Sequence, residues 1–210
     1  MINIVLDIIN YILVAILIGV SATWIVLIKS MLRTFNESPF LDKFEKKECS
    51  KPKVSIILPA RNEEKFIEKC LNSLLNQDYD NYEIITINDS SEDSTGNIIK
   101  EYSKKFPKVI SVDAKPKPDG WIGKNWACIE GYKKASGDLL LFTDADTTHT
   151  GSVISLAVSH LLSLELDALT VIPRMLCLDK ITKITLPMIS TFLHTRFSAL
   201  RVNDASKGTG

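Results

Sequence analysis

The sequence predicts an α/β fold, a mostly parallel sheet with flanking helices, preceded by one N-terminal transmembrane helix. Two observations carry this. From Val54 onward, short β-branched apolar runs alternate with segments whose apolar residues recur at helical spacing. Strand, helix, strand in that order implies parallel pairing through right-handed crossovers. Ahead of this region, Tyr11 to Ile28 runs without a formal charge. The bulk numbers fit such a chain. Its 210 residues hold 25 Lys+Arg and 25 Asp+Glu, so the net charge is zero and no strongly basic nucleic-acid-binding face is evident. The apolar share, 45%, is ordinary for a globular chain. Cys49, Cys70, Cys128 and Cys177 form no Cys-x-x-Cys pair. That argues against a structural zinc site and fits free thiols in a reducing cytosol.

Residues 1–30 read as a membrane anchor. A helix over Tyr11–Ile28 would be roughly 27 Å long at about 1.5 Å per residue, close to the hydrocarbon thickness of a bilayer. Lys29 and Arg33 follow the run and no Lys or Arg precedes it, which places the following domain in the cytoplasm. A cleaved signal peptide would want a charged n-region and a shorter apolar stretch. Residues 31–53 read as a polar juxtamembrane linker. Its lysines, Lys43, Lys46, Lys47, Lys51 and Lys53, are either solvated or rest on anionic headgroups.

Residues 54–178 carry the α/β pattern. Strands are predicted at Val54–Leu58, Glu83–Asn88, Val109–Val112, Leu139–Thr143 and Ala168–Ile172. Phe66, Ile67, Cys70, Leu71, Leu74 and Leu75 form the first helical stripe. A second helix carries Ile98, Ile99, Tyr102 and Phe106, with Ser94 or Asp93 as its cap. Further helices are expected from about Lys124 to Ala135 and over Gly151–Leu164. Residues 179–210 hold an apolar set, Ile181, Ile184, Met188, Ile189, Phe192, Leu193, Phe197 and Leu200, with Lys180, Lys183, Arg196 and Arg201 around it. Pro187 should kink it. An interfacial amphipathic helix is the preferred reading, packing on the sheet the alternative.

The chemistry concentrates after the strands. Leu139–Phe142 reads as a fully buried strand, and Asp144 and Asp146 follow it one residue apart. Residues i and i+2 of an extended segment point the same way. Two such carboxylates repel unless a cation or proton lies between them. A hard divalent ion takes one or two carboxylates plus substrate phosphates. The bland alternative is an acidic turn before a helix.

Four stretches taken together resemble the nucleotide-binding half of glycosyltransferase family 2, with its GT-A fold. Pro59-Ala60-Arg61-Asn62-Glu63 resembles the family's P-x-x-N-E loop. Asn88-Asp89-Ser90-Ser91-Glu92-Asp93-Ser94-Thr95 resembles its D-D-x-S-x-D-x-T loop, with Asn88 in place of the first Asp. Asp144-Ala145-Asp146 resembles its D-x-D metal motif, and Gly120-Trp121-Ile122-Gly123-Lys124-Asn125-Trp126-Ala127 completes the set. The resemblance covers roughly residues 54–172. It implies a nucleotide-sugar donor, usually UDP-linked, a divalent metal (Mg²⁺ or Mn²⁺) and inverting transfer. It implies donor-binding roles for Pro59, Ala60, Asn62, Glu63, Asp89, Lys124, Asp144 and Asp146. Within that set Asp89 would accept a hydrogen bond from the base, and Asp144 and Asp146 would hold the metal. Lys124 is either a diphosphate contact or an exposed helix-start lysine. His149 is either a further metal ligand or a solvent-facing residue, and Asp93 is preferred as a cap. Trp121 and Trp126 are read as packing residues.

The last of the four stretches, with Arg201-Val202-Asn203-Asp204, is similar to membrane-anchored members associated with hopanoid and carotenoid biosynthesis. That implies a lipid or isoprenoid acceptor at the cell membrane. The family's catalytic base, a later Asp or Glu often in Glu-Asp, and its Q-x-x-R-W-like motif have no match here. The base is expected beyond Gly210, where the acceptor half should begin, so this chain is expected to bind donor without turnover. The competing reading is a non-catalytic nucleotide-sugar-binding remnant or interaction module. A dinucleotide-dependent oxidoreductase is disfavoured because no Gly-x-Gly-x-x-Gly follows the first strand.

Overall fold

The structure, a computed structural model, describes residues 2–37, 41–47, 50–176 and 179–196. It divides into two compact units, one spanning Leu41–Pro173 and one containing the first and last helices.

The Leu41–Pro173 unit is built on four parallel strands: β1 (Val54–Ala60), β2 (Tyr82–Asn88), β3 (Val109–Asp113) and β4 (Leu139–Phe142), in the order β3-β2-β1-β4. Parallel neighbours need crossovers. These are helices α2 (Ile67–Leu75), α3 (Thr95–Lys105) and α4 (Gly123–Tyr132), and α5 (Val153–Ser163) follows β4. The two inner strands, β1 and β2, are apolar on both faces and almost wholly buried, as expected for a sheet covered on both sides. On one face, Val54, Ile56, Leu58 and Ile84 meet Ile67, Cys70, Leu71 and Leu74 of α2, Ile99 of α3 and Ile154 and Val158 of α5. On the other, Ile57, Ile85 and Ile87 meet Ala127 of α4. There a Cβ on Gly131 would lie 2.6 Å from Ile87 Cδ1 and 2.9 Å from Ile57 Cγ2. Only a glycine lets α4 lie this close.

The chain therefore winds outward from β1 to β2 to β3 and returns through α4 to place β4 on the other side of β1. Where strand order reverses in this way, the carboxyl ends of the flanking strands open a crevice.

Two expectations about strands fail. Leu139–Phe142 is not fully buried. Leu139 and Leu141 pack on the core beside Val54 and Ile56, but Leu140 is 41% exposed and Phe142 56%. Among the described residues β4 pairs only with β1, and α4 covers β1 and β2, which leaves Leu140 and Phe142 exposed. The expected fifth strand at Ala168–Ile172 has no regular secondary structure, and Ile172 is 87% exposed. β-branched composition makes a strand only where pairing and burial reward it.

Part of the segment expected as a linker, residues 31–53, has regular secondary structure. Helix α1 (Ile2–Glu37) runs through its first part. A 3-10 turn at Leu41–Lys43 then leads to Phe44, whose ring lies 3.8 Å from that of His160. The Lys47 N–H donates to Ser159 Oγ at 2.9 Å, and Lys46 pairs with Asp78 at 3.0 Å.

In the other unit, α1 contains an apolar stretch, Ile4–Arg33, none of which is buried. It is long and apolar enough to cross a membrane, and it encloses the uncharged run seen in the sequence. Helix α6 (Lys180–Arg196) contains Pro187 and exposes Ile181, Ile184, Met188, Ile189 and Leu193. Cys49, Cys177, Phe197, Leu200 and the Arg201–Asp204 stretch lie outside the described residues.

The amino-terminal edge of the sheet is held by one buried carboxylate. Glu83 accepts from Ser55 Oγ at 2.6 Å and from the Ser136 N–H at 2.8 Å, and it pairs with Lys53 Nζ at 2.7 Å. Gly137 closes this corner, since a Cβ there would lie 2.6 Å from the Lys53 carbonyl oxygen. Burial alone would raise the Glu83 pKa, but donors from Lys53, Ser55 and Ser136 outweigh it and bring it to about 2 from the ordinary 4.5. The native carboxyl thus binds its proton more weakly than the unfolded chain does. Its contribution to stability is complete above about pH 4.5 and lost as the pH falls towards 2. Glu83→Gln is expected to cost about 2 kcal/mol at pH 7 and to flatten the loss of stability between pH 5 and about pH 3. Denaturant melts across that range check both.

Candidate functional site

At the switch point a cleft of about 330 Å³ opens at the carboxyl ends of β1 and β4, lined by Pro59, Ala60, Arg61, Glu63, Asp89, Gly123, Lys124, Asp144, Ala145 and Asp146. Seven of the eight predicted donor-site residues thus meet on one surface. They come from the ends of β1, β2 and β4 and the start of α4.

The loops after β1 and β2 are stitched together residue by residue. The Asp89 N–H donates to the Ala60 carbonyl at 2.9 Å. Asn62 takes a left-handed backbone, φ 56°, which asparagine tolerates better than most residues. Its Oδ1 accepts from the Glu92 N–H at 2.9 Å, and its own N–H donates to Ser91 Oγ at 3.2 Å. Asn62 is therefore the predicted donor-site residue that does not line the cleft. Its amide is spent on holding two loops in register.

Asp93 is the expected cap. One carboxylate oxygen accepts from the Thr95 N–H at 2.9 Å, the other from the Glu64 N–H at 3.2 Å. Ser94, the residue just ahead of α3, makes no side-chain cap. Thr95 Oγ1 accepts from the Glu63 N–H at 2.8 Å, which fixes the backbone that presents Glu63. The departure at Asn88 has a local reason. Its Nδ2 donates to Asp113 Oδ1 at 2.9 Å, where an aspartate would oppose Asp113 with a second negative charge.

Asp144, Ala145 and Asp146 lie in a turn past the end of β4 rather than in the extended segment expected, yet both aspartates reach the cleft. Ala145 is buried in the core between the two aspartates, both of which line the cleft. The Thr147 N–H donates to the Asp144 carbonyl at 3.2 Å and closes the turn. Lys124, in the first turn of α4, places its Nζ 2.5 Å from Asp144 Oδ1. That hydrogen bond, against partial desolvation, raises the lysine's pKa. Four carboxylates then face two cations across the cleft, Arg61 being the second cation. Glu63 registers the imbalance: burial pushes its pKa up, and the charges of Asp146, Asp93 and Asp144 add to the push.

Such a donor set suits a hard divalent cation. Asp144 and Asp146 supply anionic oxygens in an acidic cleft, and the remaining positions would fall to ligand oxygens. A closed protein cage is not formed, since no group of three or more His, Cys, Asp or Glu in ligating arrangement occurs among the described residues. His149 drops out of the candidate metal set. It is absent from the cleft lining, and its Nε2 is 3.0 Å from Thr143 Oγ1. Trp126 packs as expected, donating from Nε1 to the Lys115 carbonyl at 2.8 Å with Trp121 against its ring.

Sequence reasoning did not single out Arg61, Gly123 or Ala145. Arg61 had a readable signal, being the one cation between Pro59 and Glu63.

Residues 55–204 match the sequence model of Glycosyl transferase family 2. The probable glycosyltransferase YdaM of Bacillus subtilis (strain 168) is 34% identical over 142 residues, 62% of this chain and 33% of that protein. A 4,4'-diaponeurosporenoate glycosyltransferase of Staphylococcus haemolyticus is 41% identical over 93 residues, 44% of this chain and 24% of that one. The chain thus spans a third or less of the length of these relatives. The mannosyltransferase PcManGT of Pyrobaculum calidifontis, solved in complex with GDP-Man and Mn²⁺, shares the fold. Its TM-score is 0.53 at 22% identity, over 69% of this chain and 42% of that one.

The Asn62 staple yields a test. Asn62→Ala is expected to destabilise the chain by about 1 kcal/mol, although it removes no cleft-lining side chain. Asn62→Asp, which keeps the acceptor, should lose less. Denaturant melts of the two variants check the order.

Proposed function

The chain belongs to glycosyl transferase family 2, and from that premise we propose that its cleft binds a nucleotide-sugar donor, UDP-linked, for metal-assisted, inverting transfer to a lipid or isoprenoid acceptor. The observation that carries this reading is the convergence of Glu63, Asp89, Lys124, Asp144 and Asp146 on one cleft at the switch point. Asp89 would accept a hydrogen bond from the base, and Glu63 would line the nucleoside pocket. Asp144 and Asp146 would hold a Mg²⁺ or Mn²⁺ ion, which supplies Lewis-acid stabilisation of the diphosphate leaving group.

Charge supports the metal. A cleft with four carboxylates against two cations repels a diphosphate unless further positive charge enters with it. The lipid acceptor is supported by the likeness to a 4,4'-diaponeurosporenoate glycosyltransferase and by α1. In this reading residues 1–30 anchor the chain in the membrane, residues 54–178 are the donor-binding half on the cytoplasmic side, and residues 179–210 begin the acceptor half. Inverting transfer also needs a general base for the acceptor hydroxyl, and no residue of the cleft is assigned that role.

Titration of UDP into the detergent-solubilised chain tests the reading. Binding should require Mn²⁺ and be lost in the Asp144→Ala, Asp146→Ala double variant. Asp89→Ala should weaken it by about tenfold or more, the worth of a hydrogen bond to a charged group. Metal-independent binding, or binding that survives the double variant, contradicts it. Release of UDP from a UDP-sugar with a lipid acceptor separates transfer from binding alone.

A further inference from the structure

Asp144 is not a vacant carboxylate. Lys124 Nζ lies 2.5 Å from its Oδ1, with the two side chains 60% and 57% exposed. Packing does not force this contact, so it is made across open solvent at the mouth of the cleft. Lys124 stands in the first turn of α4 on a flexible four-carbon stem, and it can swing without moving the backbone. An ammonium and a divalent ion at one carboxylate repel each other. The negative cleft makes Lys124 the nearest internal substitute for a bound cation.

We propose that Lys124 is the resident counter-ion of the donor-free cleft, competing with the divalent metal for Asp144 until a nucleoside diphosphate draws the lysine onto its own phosphates. This rests on the reading of Asp144 and Asp146 as the metal carboxylates. The competition makes metal and diphosphate binding mutually dependent. Metal alone meets a carboxylate already paired. Diphosphate removes the competitor, and by reciprocity metal frees the lysine for the diphosphate. Metal loading is thereby delayed until donor is present.

The test is Mn²⁺ binding to the full chain in detergent, followed by the electron paramagnetic resonance of free Mn²⁺ with and without UDP. Lys124→Met should bind Mn²⁺ alone tighter than the unmodified chain, by up to about fivefold, the upper end expected for releasing an exposed ion pair. The factor by which UDP strengthens Mn²⁺ binding should shrink correspondingly. Lys124→Arg should keep the unmodified behaviour, and Lys124→Gln serves as a second neutral variant if the methionine chain does not fold. Equal Mn²⁺ affinity in the unmodified and neutral chains, with UDP still strengthening both alike, overturns this inference and leaves the metal site standing. Failure of the unmodified chain to bind Mn²⁺ even with UDP overturns both.

Discussion

β1 pairs in parallel with β2 on one side and β4 on the other, and the rest of the unit depends on that double pairing. It places α2 and α3 on one face and α4 on the other, and a cleft opens at the carboxyl ends between β1 and β4. Register does the rest. Ala60 is paired with Asn88, so the loop bearing Glu63 starts beside the loop bearing Asp89. Ile57 is paired with Phe142, which sets the Asp144–Asp146 turn past the end of β4 at the same rim. At the opposite edge the Glu83 cluster ties Lys53, Ser55 and Ser136 together and fixes where β1, β2 and the approach to β4 begin. A slip by one residue would turn a strand's apolar set to the other face and shift the loop it carries.

Charge is the second organising quantity. The cleft gathers four carboxylates against two cations, and burial together with the charges of Asp146, Asp93 and Asp144 raises the pKa of Glu63. Lys124 offsets part of it through Asp144. An acidic cleft of this kind is coherent when anion and cation arrive together. Neither would be well placed alone.

The parallel sheet and the cleft were legible because both leave periodic or positional marks. α2 buries Ile67, Cys70, Leu71 and Leu74 at the spacing visible in the sequence, and Asp-Ala-Asp stands just past the end of β4. What was not legible depended on neighbours distant in the chain. Leu139–Phe142 reads as a buried run, but Leu140 and Phe142 are exposed, and α4 lies over β1 and β2 instead. Ala168–Ile172 has strand composition without a strand. Asn62 belongs to the motif yet acts on a loop, because its side-chain carbonyl is 2.9 Å from the Glu92 N–H thirty residues away. His149 lies near the aspartates in sequence, but its ring is held by Thr143. In each case the residue type was suggestive and the tertiary partner decided.

The central claim is that loops far apart in the chain form one rim at the carboxyl ends of the strands and that this rim holds the cation. Paramagnetic broadening of backbone amide resonances by Mn²⁺ with UDP, in the isotope-labelled full chain, addresses it most directly. The account predicts that Glu63, Asp89, Gly123 and Asp146 broaden together while Glu83, Ser136 and Gly137 at the other edge stay sharp. Broadening centred on the Glu83 edge, or on only one of the three strand-end loops, would contradict it.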